Sequence, residues 1–235
     1  MTVLLLRLAG PLQSWGDSSR FTQRSTANAP TKSGVLGMLA AAQGRRRTDP
    51  VEDLVQLRFG VRIDQPGSLL RDFHTTHDVK GNSMPLSHRY YLSDAVFVAG
   101  LEGEPAAIEL IAKSIRKPRF PLYLGRRACP PDLPIVLGTR QEELEASLRD
   151  VEWQAARWFQ NRREKHHDGY RASIFLDAPV SSNLDSHGRF TVRDVPVSWD
   201  PDHREYEWRD VIETSIELLA PSVTHHDPMS ILGEE

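Results

Sequence analysis

The amino-acid sequence predicts an α+β protein built on an antiparallel sheet, and three observations support this class. Over residues 1–140, hydrophobic patterns typical of strands and helices follow one another in the order β, α, β, β, α, β. After residue 140 the patterns become mostly strand-like. The composition, with 39% hydrophobic and 26% charged residues, is that of an ordinary globular protein. At 235 residues the chain is long enough to bury a core in one large domain or two small ones.

The first strand and the first long helix have clear sequence signals. The run TVLLLRLAG predicts a buried strand that ends at Gly10-Pro11. The segment PTKSGVLGMLAAAQG predicts a helix with Thr31 as its N-cap, one apolar face and Gly44 at its end. A polar loop at 13–29 joins the two elements. A short helix at 53–57 and a second strand, LRFGVRID, follow.

The remainder of the first 140 residues contains a long excursion between strands. Residues 67–89 have no regular period and contain three histidines, which is typical of a functional segment outside a compact core. Strand character returns in YYLSDAVFVAGL, and PAAIELIAKSIRK predicts a helix bounded by Pro105 and Pro118. A last strand at 135–137 completes a βαββαβ unit, the ferredoxin-like arrangement with two helices on one face of the sheet. We expect the other face to be open for a ligand.

The segment beyond Gly138 predicts a smaller region. It begins with a short helix at 142–149 and continues through a stretch at 151–170 that is rich in Trp, Arg and His. The strand-like runs RASIFLDA, GRFTVRDVPVSW and REYEWRDVIE follow. We therefore divide the chain into a ferredoxin-like domain at 1–140 and a small, mostly β C-terminal region at 141–235.

Cysteine content and hydropathy narrow the class of protein. The single cysteine, Cys129, excludes an intramolecular disulfide and a cysteine-rich zinc site. The N-terminal apolar run is short and lacks a signal-peptide cleavage pattern, and no segment reaches the length of a transmembrane helix. We expect a cytoplasmic protein without a membrane partner.

Positive charge is concentrated in the stretch KPRFPLYLGRRACPP and the helix before it. The formal net charge of the chain is −3, which does not indicate a nucleic-acid-binding protein. Residues 113–127, however, contain six basic side chains and no acidic one, and such asymmetry produces a local field that the net charge hides. Either this is a solvated basic face, or it attracts a polyanion.

Two motifs near the N-terminus have a functional and a structural interpretation. PTKSG lacks the glycine-rich backbone of a nucleotide-binding P-loop, because Asn28, Ala29 and Pro30 precede it. Lys32 and Ser33 at a helix N-terminus can still hold one phosphate, or they simply cap the helix. In LQSWG, the indole of Trp15 either stacks on a base or belongs to the core.

Histidines in the excursion raise two enzymatic possibilities. His74, His77 and Asp78 lie close together in sequence, but their spacing fits no known zinc-protease pattern, and we expect no metal. His88, near Tyr90 and Tyr91, could serve a metal-independent ribonuclease that activates the 2′-hydroxyl. Polar decoration of a loop is the structural alternative.

Five motifs together resemble a known family. LRLAGPLQSWG, PTKSGVLGMLAAAQG, LRDFHTTHD, HRYYLSDAVFVAGL and KPRFPLYLGRRACPP resemble, in this order, the CasD family, the Cas-five-type subunit of the type I-E CRISPR Cascade complex. The resemblance covers most of residues 3–138, with a weaker similarity at GRFTVRDVPVS.

The resemblance implies a RAMP protein with a ferredoxin-like domain and a β-hairpin thumb at about 67–90. Such a subunit would bind CRISPR RNA without cutting it, grip the 5′ handle and cap one end of the Cascade backbone in antiviral defence. Its partners would be the backbone RAMP subunit and the large subunit, with target DNA reached only through the complex. No cofactor or metal is implied. YLGRRACPP resembles the glycine-containing loop with which RAMP proteins approach RNA.

These inferences give one set of candidate site residues. The arginines of the basic stretch would hold phosphates, and Gly125 would let the backbone approach the RNA. No catalytic residue is predicted. The alternatives are a metal-independent endoribonuclease that uses His74, His88, Tyr90, Tyr91 and Lys113, since Cas-five-type proteins of another CRISPR subtype process RNA themselves, and a pure assembly protein. The predicted RNA-binding residues are Ser14, Trp15, Lys32, Ser33, His74, His88, Arg89, Lys117, Arg119, Gly125, Arg126 and Arg127.

Overall fold

The computed structural model describes residues 1–16, 23–165, 169–178, 188–200 and 203–219, and the protein is a mixed α/β molecule dominated by its sheets. Its elements, in chain order, are β1 (Thr2–Ala9), β2 (Leu12–Gln13), β3 (Gln23–Arg24), α1 (Lys32–Gln43), α2 (Glu52–Val55), β4 (Arg58–Gln65), β5 (Ser68–His74), β6 (Ser87–Ser93), β7 (Val96–Gly103), α3 (Pro105–Arg116), β8 (Val136–Arg140), α4 (Leu144–Asp150), α5 (Arg157–Lys165), β9 (Tyr170–Asp177), β10 (Arg189–Trp199) and β11 (Arg204–Leu218).

The main sheet has seven strands in the order β10-β11-β9-β4-β7-β1-β8, and every adjacent pair is antiparallel. The four strands from residues 1–140 therefore lie in the order β4-β7-β1-β8. The strands of residues 141–235 continue the same sheet, because β9 pairs with β4 through Gly60 to Arg62. Residues on either side of position 140 thus contribute to one hydrogen-bonded layer.

Helices α1 and α3 pack together on one face of this sheet and enclose the larger core. Leu4, Leu6 and Leu8 of β1 point into it and are fully buried, which follows from the period-two alternation of a strand. Helix α1 begins and ends as its sequence predicts. The Thr31 hydroxyl accepts a hydrogen bond from Gly34 N, and Gly44 ends the helix with a left-handed φ of 81°.

Helix α4 covers the second face of the sheet. Leu144 and Leu148 belong to one buried cluster with Val3 and Leu5 of β1. The helix lies so close that a Cβ at Gly100 would be 2.6 Å from a methyl group of Leu144. The expectation of an open second face is therefore wrong. Strand β1 is apolar on both sides, so each face needs its own cover.

A smaller sheet contains β2, β3, β5 and β6, and its β5–β6 pair forms a hairpin. The run YYLSDAVFVAGL, expected as one strand, is split at Asp94, whose φ is +55°. Residues before this turn belong to β6 in the small sheet, and residues after it form β7 in the main sheet. The hairpin tip at 75–86 is almost entirely exposed. No helix in the described part of the chain is both long and apolar enough to cross a membrane.

Candidate nucleic-acid interface

The basic stretch at 117–131 is a fixed loop, not a loose one. Leu124 and Cys129 are fully buried, and burial raises the pKa of the Cys129 thiol. Leu124 N donates to Cys129 O at 2.8 Å, and Cys129 N donates to Arg126 O at 2.9 Å, so the residues between them form a closed turn. Near the start of the loop, Arg119 N donates to Ala42 O at 2.9 Å and attaches the loop to α1.

Gly125 lies where the loop touches the segment after β1. Its φ is +86°, and a Cβ at this position would stand 1.7 Å from the carbonyl oxygen of Ser14. Ser14 N also donates to Leu124 O at 3.1 Å. Only glycine satisfies both the left-handed conformation and the close approach. Gly125 is thus needed for the loop's position, whatever it also contributes to a ligand.

Arg126 is held in place by the neighbouring strands. Its guanidinium lies 4.9 Å from the ring centroid of Tyr91. Nη1 donates to Tyr90 O at 3.3 Å, and Nη2 donates to Arg24 O at 2.9 Å. None of these described partners is a carboxylate, so the charge of Arg126 can still attract an anion. The adjacent Arg127 is exposed.

Two adjoining cavities form a groove between α1, the loop at 117–131 and the neighbouring ends of β10 and β11. Their volumes are about 360 and 680 Å³. Six residues line both cavities: Ser33, Gly34, Gly125, Trp199, Arg204 and Tyr206. Because of its charge we call this feature the arginine groove. Its six arginines are Arg24, Arg45, Arg46, Arg47, Arg126 and Arg204.

The described lining of the arginine groove carries positive charge without acidic side chains. No aspartate or glutamate among the described residues lines either cavity. Arg45 forms a bidentate ion pair with Asp53, and this pair lowers the pKa of the Asp53 carboxyl. The other five arginines form no ion pair with any residue that the structure describes. The groove therefore presents a positive electrostatic field. Because the field lies in a cleft of the protein, it is concentrated there and attracts an anionic ligand.

An ion-pair quartet, consisting of Lys32, Asp177, Asp194 and Arg209, fixes the β10–β11 wall against α1. Lys32 Nζ lies 2.9 Å from Asp177, and Lys32 N donates to Asp194 at 2.7 Å. Arg209 lies 2.7 Å from Asp177 and 2.6 Å from Asp194. Burial opposes the charge of Arg209, but hydrogen bonds and attraction from Asp194 and Asp177 outweigh it and raise its pKa. The quartet thus joins α1 to three C-terminal strands.

The quartet also contains Lys32, which the sequence predicted as a phosphate-binding residue. Its side chain is only 7% exposed and its ammonium is neutralised by Asp177. The Asp194 carboxylate already accepts from the N–H group of Lys32, one of the free N–H groups at the start of α1. This geometry does not support the idea that Lys32 and the helix N-terminus hold a phosphate. Ser33, the next residue, does line both cavities.

The other predicted residues fall into three groups. Ser14 and Trp15 border the larger cavity but are almost fully buried, and the Trp15 indole donates to Gln13 inside the core. The indole is therefore not a free stacking surface. Lys117 and Arg119 are exposed but line neither cavity. His74, His88 and Arg89 lie in the β5–β6 hairpin.

The two hairpin histidines do not converge. His88 stands opposite Phe73 in the strand register, and successive residues of a strand point to opposite faces, so His74 points away from it. His74 lies 2.9 Å from the Asp72 carboxylate, while Arg71 donates to His88 at 3.3 Å. Among the described residues, no group of His, Cys, Asp and Glu side chains has the arrangement of a metal site.

Sequence reasoning missed half of the groove. Arg24, Arg204 and Tyr206 lie far from the basic stretch in sequence, and no local pattern singled them out. A signal did exist for Arg45 to Arg47, a run of three arginines directly after the Gly44 helix end. Basic residues just beyond a helix C-terminus interact favourably with its dipole, which gives such a run an ordinary structural interpretation as well.

Comparison with known proteins identifies the family. A family model described as CRISPR-associated protein (Cas_Cas5) matches residues 3–212, most of the chain. The chain belongs to the Cas5 family. The match extends through β10 and into β11, so both walls of the arginine groove lie within the part that the family model covers.

Individual relatives agree with membership in the Cas5 family. The CRISPR system Cascade subunit CasD of Escherichia coli is 38% identical over 159 residues, which are 59% of this chain and 71% of that protein. A chain in a solved CRISPR RNA-guided surveillance complex is 32% identical and has a TM-score of 0.73, covering 92% of this Cas5 chain and 90% of its own. A crystal structure of a Cas protein gives 35% identity and a TM-score of 0.66, with 93% and 95% covered.

Proposed function

We propose that this Cas5 protein is the CasD-type subunit of a type I-E Cascade complex and holds the 5′ handle of the CRISPR RNA in the arginine groove. The arginine groove carries this proposal. Five arginines that form no ion pair within the described residues face a space walled by the backbone of Gly125 and by the rings of Trp199 and Tyr206. Arginine forks bind phosphate oxygens, and aromatic rings can stack on unpaired bases, so single-stranded RNA fits this combination.

The β5–β6 hairpin supplies the second part of the proposal, the thumb at about 67–90. Its exposed apolar side chains include Leu69, Phe73 and Met84, of which the first two are 64% exposed. Exposed apolar side chains grouped in one segment are typical of a surface that packs on another protein. We propose that the thumb contacts the neighbouring backbone subunit, while the large subunit and target DNA are met elsewhere in the complex.

The fold supports this assignment through its strand order. We propose that β1, α1, β4, β7, α3 and β8 are the ferredoxin-like unit of a RAMP protein, because the order β4-β7-β1-β8 with α1 and α3 on one face is what a βαββαβ connection requires. The division at residue 140 stays a prediction, since β9 to β11 share the same sheet.

Replacing Arg46 and Arg204 together by alanine should weaken binding of handle RNA more than tenfold. Both side chains are exposed, line the groove from opposite walls and have no described acidic partner. Each lost phosphate contact on a single strand reduces the slope of log affinity against log salt by about 0.7, so the slope should fall by about 1.4. Fluorescence anisotropy with labelled handle RNA at several salt concentrations measures both quantities.

Arg140→Ala is the matched control for this experiment. Arg140 is exposed at the end of β8, forms no described ion pair and lines neither cavity. Its variant should bind RNA with unchanged affinity and salt slope. If the double variant behaves like Arg140→Ala, the arginine groove is not the RNA site.

The purified chain should leave repeat RNA intact, with or without a chelator. The endoribonuclease alternative needs His74, His88 and Lys113 near one phosphodiester, but the two histidines point to opposite faces of the hairpin, and Lys113 pairs with Glu109 on α3. Gel analysis of end-labelled repeat RNA tests this. Cleavage at one position that disappears in His88→Ala would instead establish the enzyme.

A further inference from the structure

Helix α5 is held rigidly although none of its side chains is buried. A helix of nine residues is marginal in water without tertiary support. Support comes from residues just before it. Gln154 N donates to the Asp64 carboxylate at 2.6 Å, Ala156 N donates to Gln65 Oε1 at 3.0 Å, and the Trp153 indole donates to Asp64 O at 2.9 Å. Asp64 itself is fully buried in an ion pair.

An aromatic cluster secures the inner side of α5. Trp153 stacks on Tyr170 with centroids 5.5 Å apart, and Phe159 meets both rings edge-on. Arg163 lies over the rings of Phe159 and Tyr170. Burial, together with the nearby Asp64 charge, raises the pKa of Tyr170 to about 12 and keeps its ring neutral. The side chains on the inner side of α5 therefore pack on partners within this cluster.

The outer side of α5 is exposed to solvent. Trp158 is 54% exposed, and Arg157, Arg162 and Lys165 are exposed as well. None of the three cations forms an ion pair with a residue that the structure describes. Trp158 and Arg162 are neighbours at a spacing of four residues, and Lys165 follows three residues later on the same side. On this platform, formed by α5, the half-exposed Trp158 ring meets Phe159 edge-on with centroids 5.7 Å apart and lies among cations that have no ion-pair partner in the described part of the chain.

This platform lies on the side of the sheet away from the arginine groove. Along β4, Phe59 and Val61 point into the core under α1, so the alternate residues Arg62 and Asp64 point to the other face. Arg62 indeed donates to Leu148 O at the end of α4. Helix α5 is anchored to Asp64 and therefore lies on the face of the sheet opposite α1. An RNA strand that fills the arginine groove does not lie across α5.

We propose that the outer face of α5 binds single-stranded DNA, with its cations on successive phosphates and the Trp158 ring on one unpaired base. Aromatic rings beside basic side chains are the usual means of binding a single strand without regard to sequence. An acidic protein would satisfy the cations but would leave the indole exposed. The inference rests on the proposed function, because a complex guided by RNA displaces one DNA strand where the guide pairs with its target.

Binding of a labelled single-stranded DNA oligonucleotide to the full chain tests this surface. Trp158→Ala should reduce affinity about 5- to 160-fold, the range of one lost base stack, while Trp158→Phe should retain most of it. Arg162→Ala with Lys165→Ala should reduce the salt slope by about 1.4. Arg140→Ala is the control and should change neither value, and Trp158→Phe, which keeps an aromatic ring beside Phe159, should melt like the unaltered protein.

The same variants separate this surface from the groove. Handle RNA should bind the α5 variants normally, and single-stranded DNA should bind the Arg46 and Arg204 double variant normally. A loss of RNA affinity on changing Trp158 would place α5 on the guide and overturn the inference, as would equal DNA binding by Trp158→Ala and the unaltered protein. Double-stranded DNA is a further probe, because a paired base cannot stack on the indole. If Trp158→Ala weakens binding of double-stranded DNA as much as binding of single-stranded DNA, the inference is overturned.

Discussion

Arg209→Met should lower the free energy of unfolding by about 3–5 kcal/mol, the cost of breaking a buried ion pair from one side. The substitution retains much of the side-chain volume but removes the cation shared by Asp177 and Asp194. Lys32 can still neutralise Asp177, whereas Asp194, which is 2% exposed, keeps from its described partners the hydrogen bond of Lys32 N alone. Urea unfolding followed by circular dichroism gives the free energy from the midpoint and slope.

Two further variants show whether the loss comes from the buried charge. Lys113→Met removes an ion pair with Glu109 in which both side chains are 69% exposed, and it should hardly shift the urea midpoint. Combining Arg209→Met with Asp194→Asn removes the stranded carboxylate, so the double variant should be more stable than Arg209→Met alone. A double variant less stable than Arg209→Met would refute this account of the quartet.

The second large effect is expected at Gly125. Gly125→Ala introduces a Cβ that would lie 1.7 Å from Ser14 O, so the loop and the segment after β1 must separate by more than an ångström. The left-handed conformation alone costs a non-glycine residue about 1–2 kcal/mol. Because Gly125 and Arg126 both line the groove, we expect handle RNA affinity to fall at least tenfold, together with a lower melting temperature.

Gly37→Ala is the control for Gly125→Ala, because Gly37 also lines the groove. A Cβ at Gly37 would meet only Trp199, at an ordinary contact distance of 3.9 Å. In a helix interior alanine is about 1 kcal/mol more favourable than glycine, so this variant should melt at a slightly higher temperature and still bind RNA. Equal RNA affinities for the two variants would show that the position of the loop at Gly125 has no role in binding.

Local signals in the sequence were sufficient for much of the fold. The boundaries of α1 follow from a capping hydroxyl at Thr31 and a left-handed glycine at Gly44, and both act through residues nearby in sequence. The helix from Pro105 to Arg116 was likewise set by its apolar spacing and its prolines. The division of YYLSDAVFVAGL between two sheets was not predictable in this way, because both halves have strand propensity and only tertiary pairing separates them at Asp94.

The candidate site was harder to predict because its residues come together only in the folded protein. Lys32 has the local features of a phosphate ligand, but Asp177 neutralises its ammonium and Asp194 accepts from its backbone N–H, both from positions about 150 residues away. Conversely, Arg204 has no distinctive neighbours in sequence and joins the groove through the β10–β11 hairpin. Charge clustering in sequence singled out Arg126, which lines the groove, and Arg127, which lines neither cavity, so it could not reveal which arginines the fold brings together.

The separation of the two groove walls along the chain has a consequence during protein synthesis. Helix α1 leaves the ribosome early, whereas the wall at Trp199 and Arg204 is made near the end, and the bond from Lys32 N to Asp194 joins positions 162 residues apart. Chains are synthesised from the N-terminus at about 5–20 residues per second, so the first wall waits many seconds for the second. A prematurely terminated product that lacks β10 and β11 never completes the groove. On the proposed function, such a product does not bind guide RNA and so does not withdraw it from intact complexes in the cell.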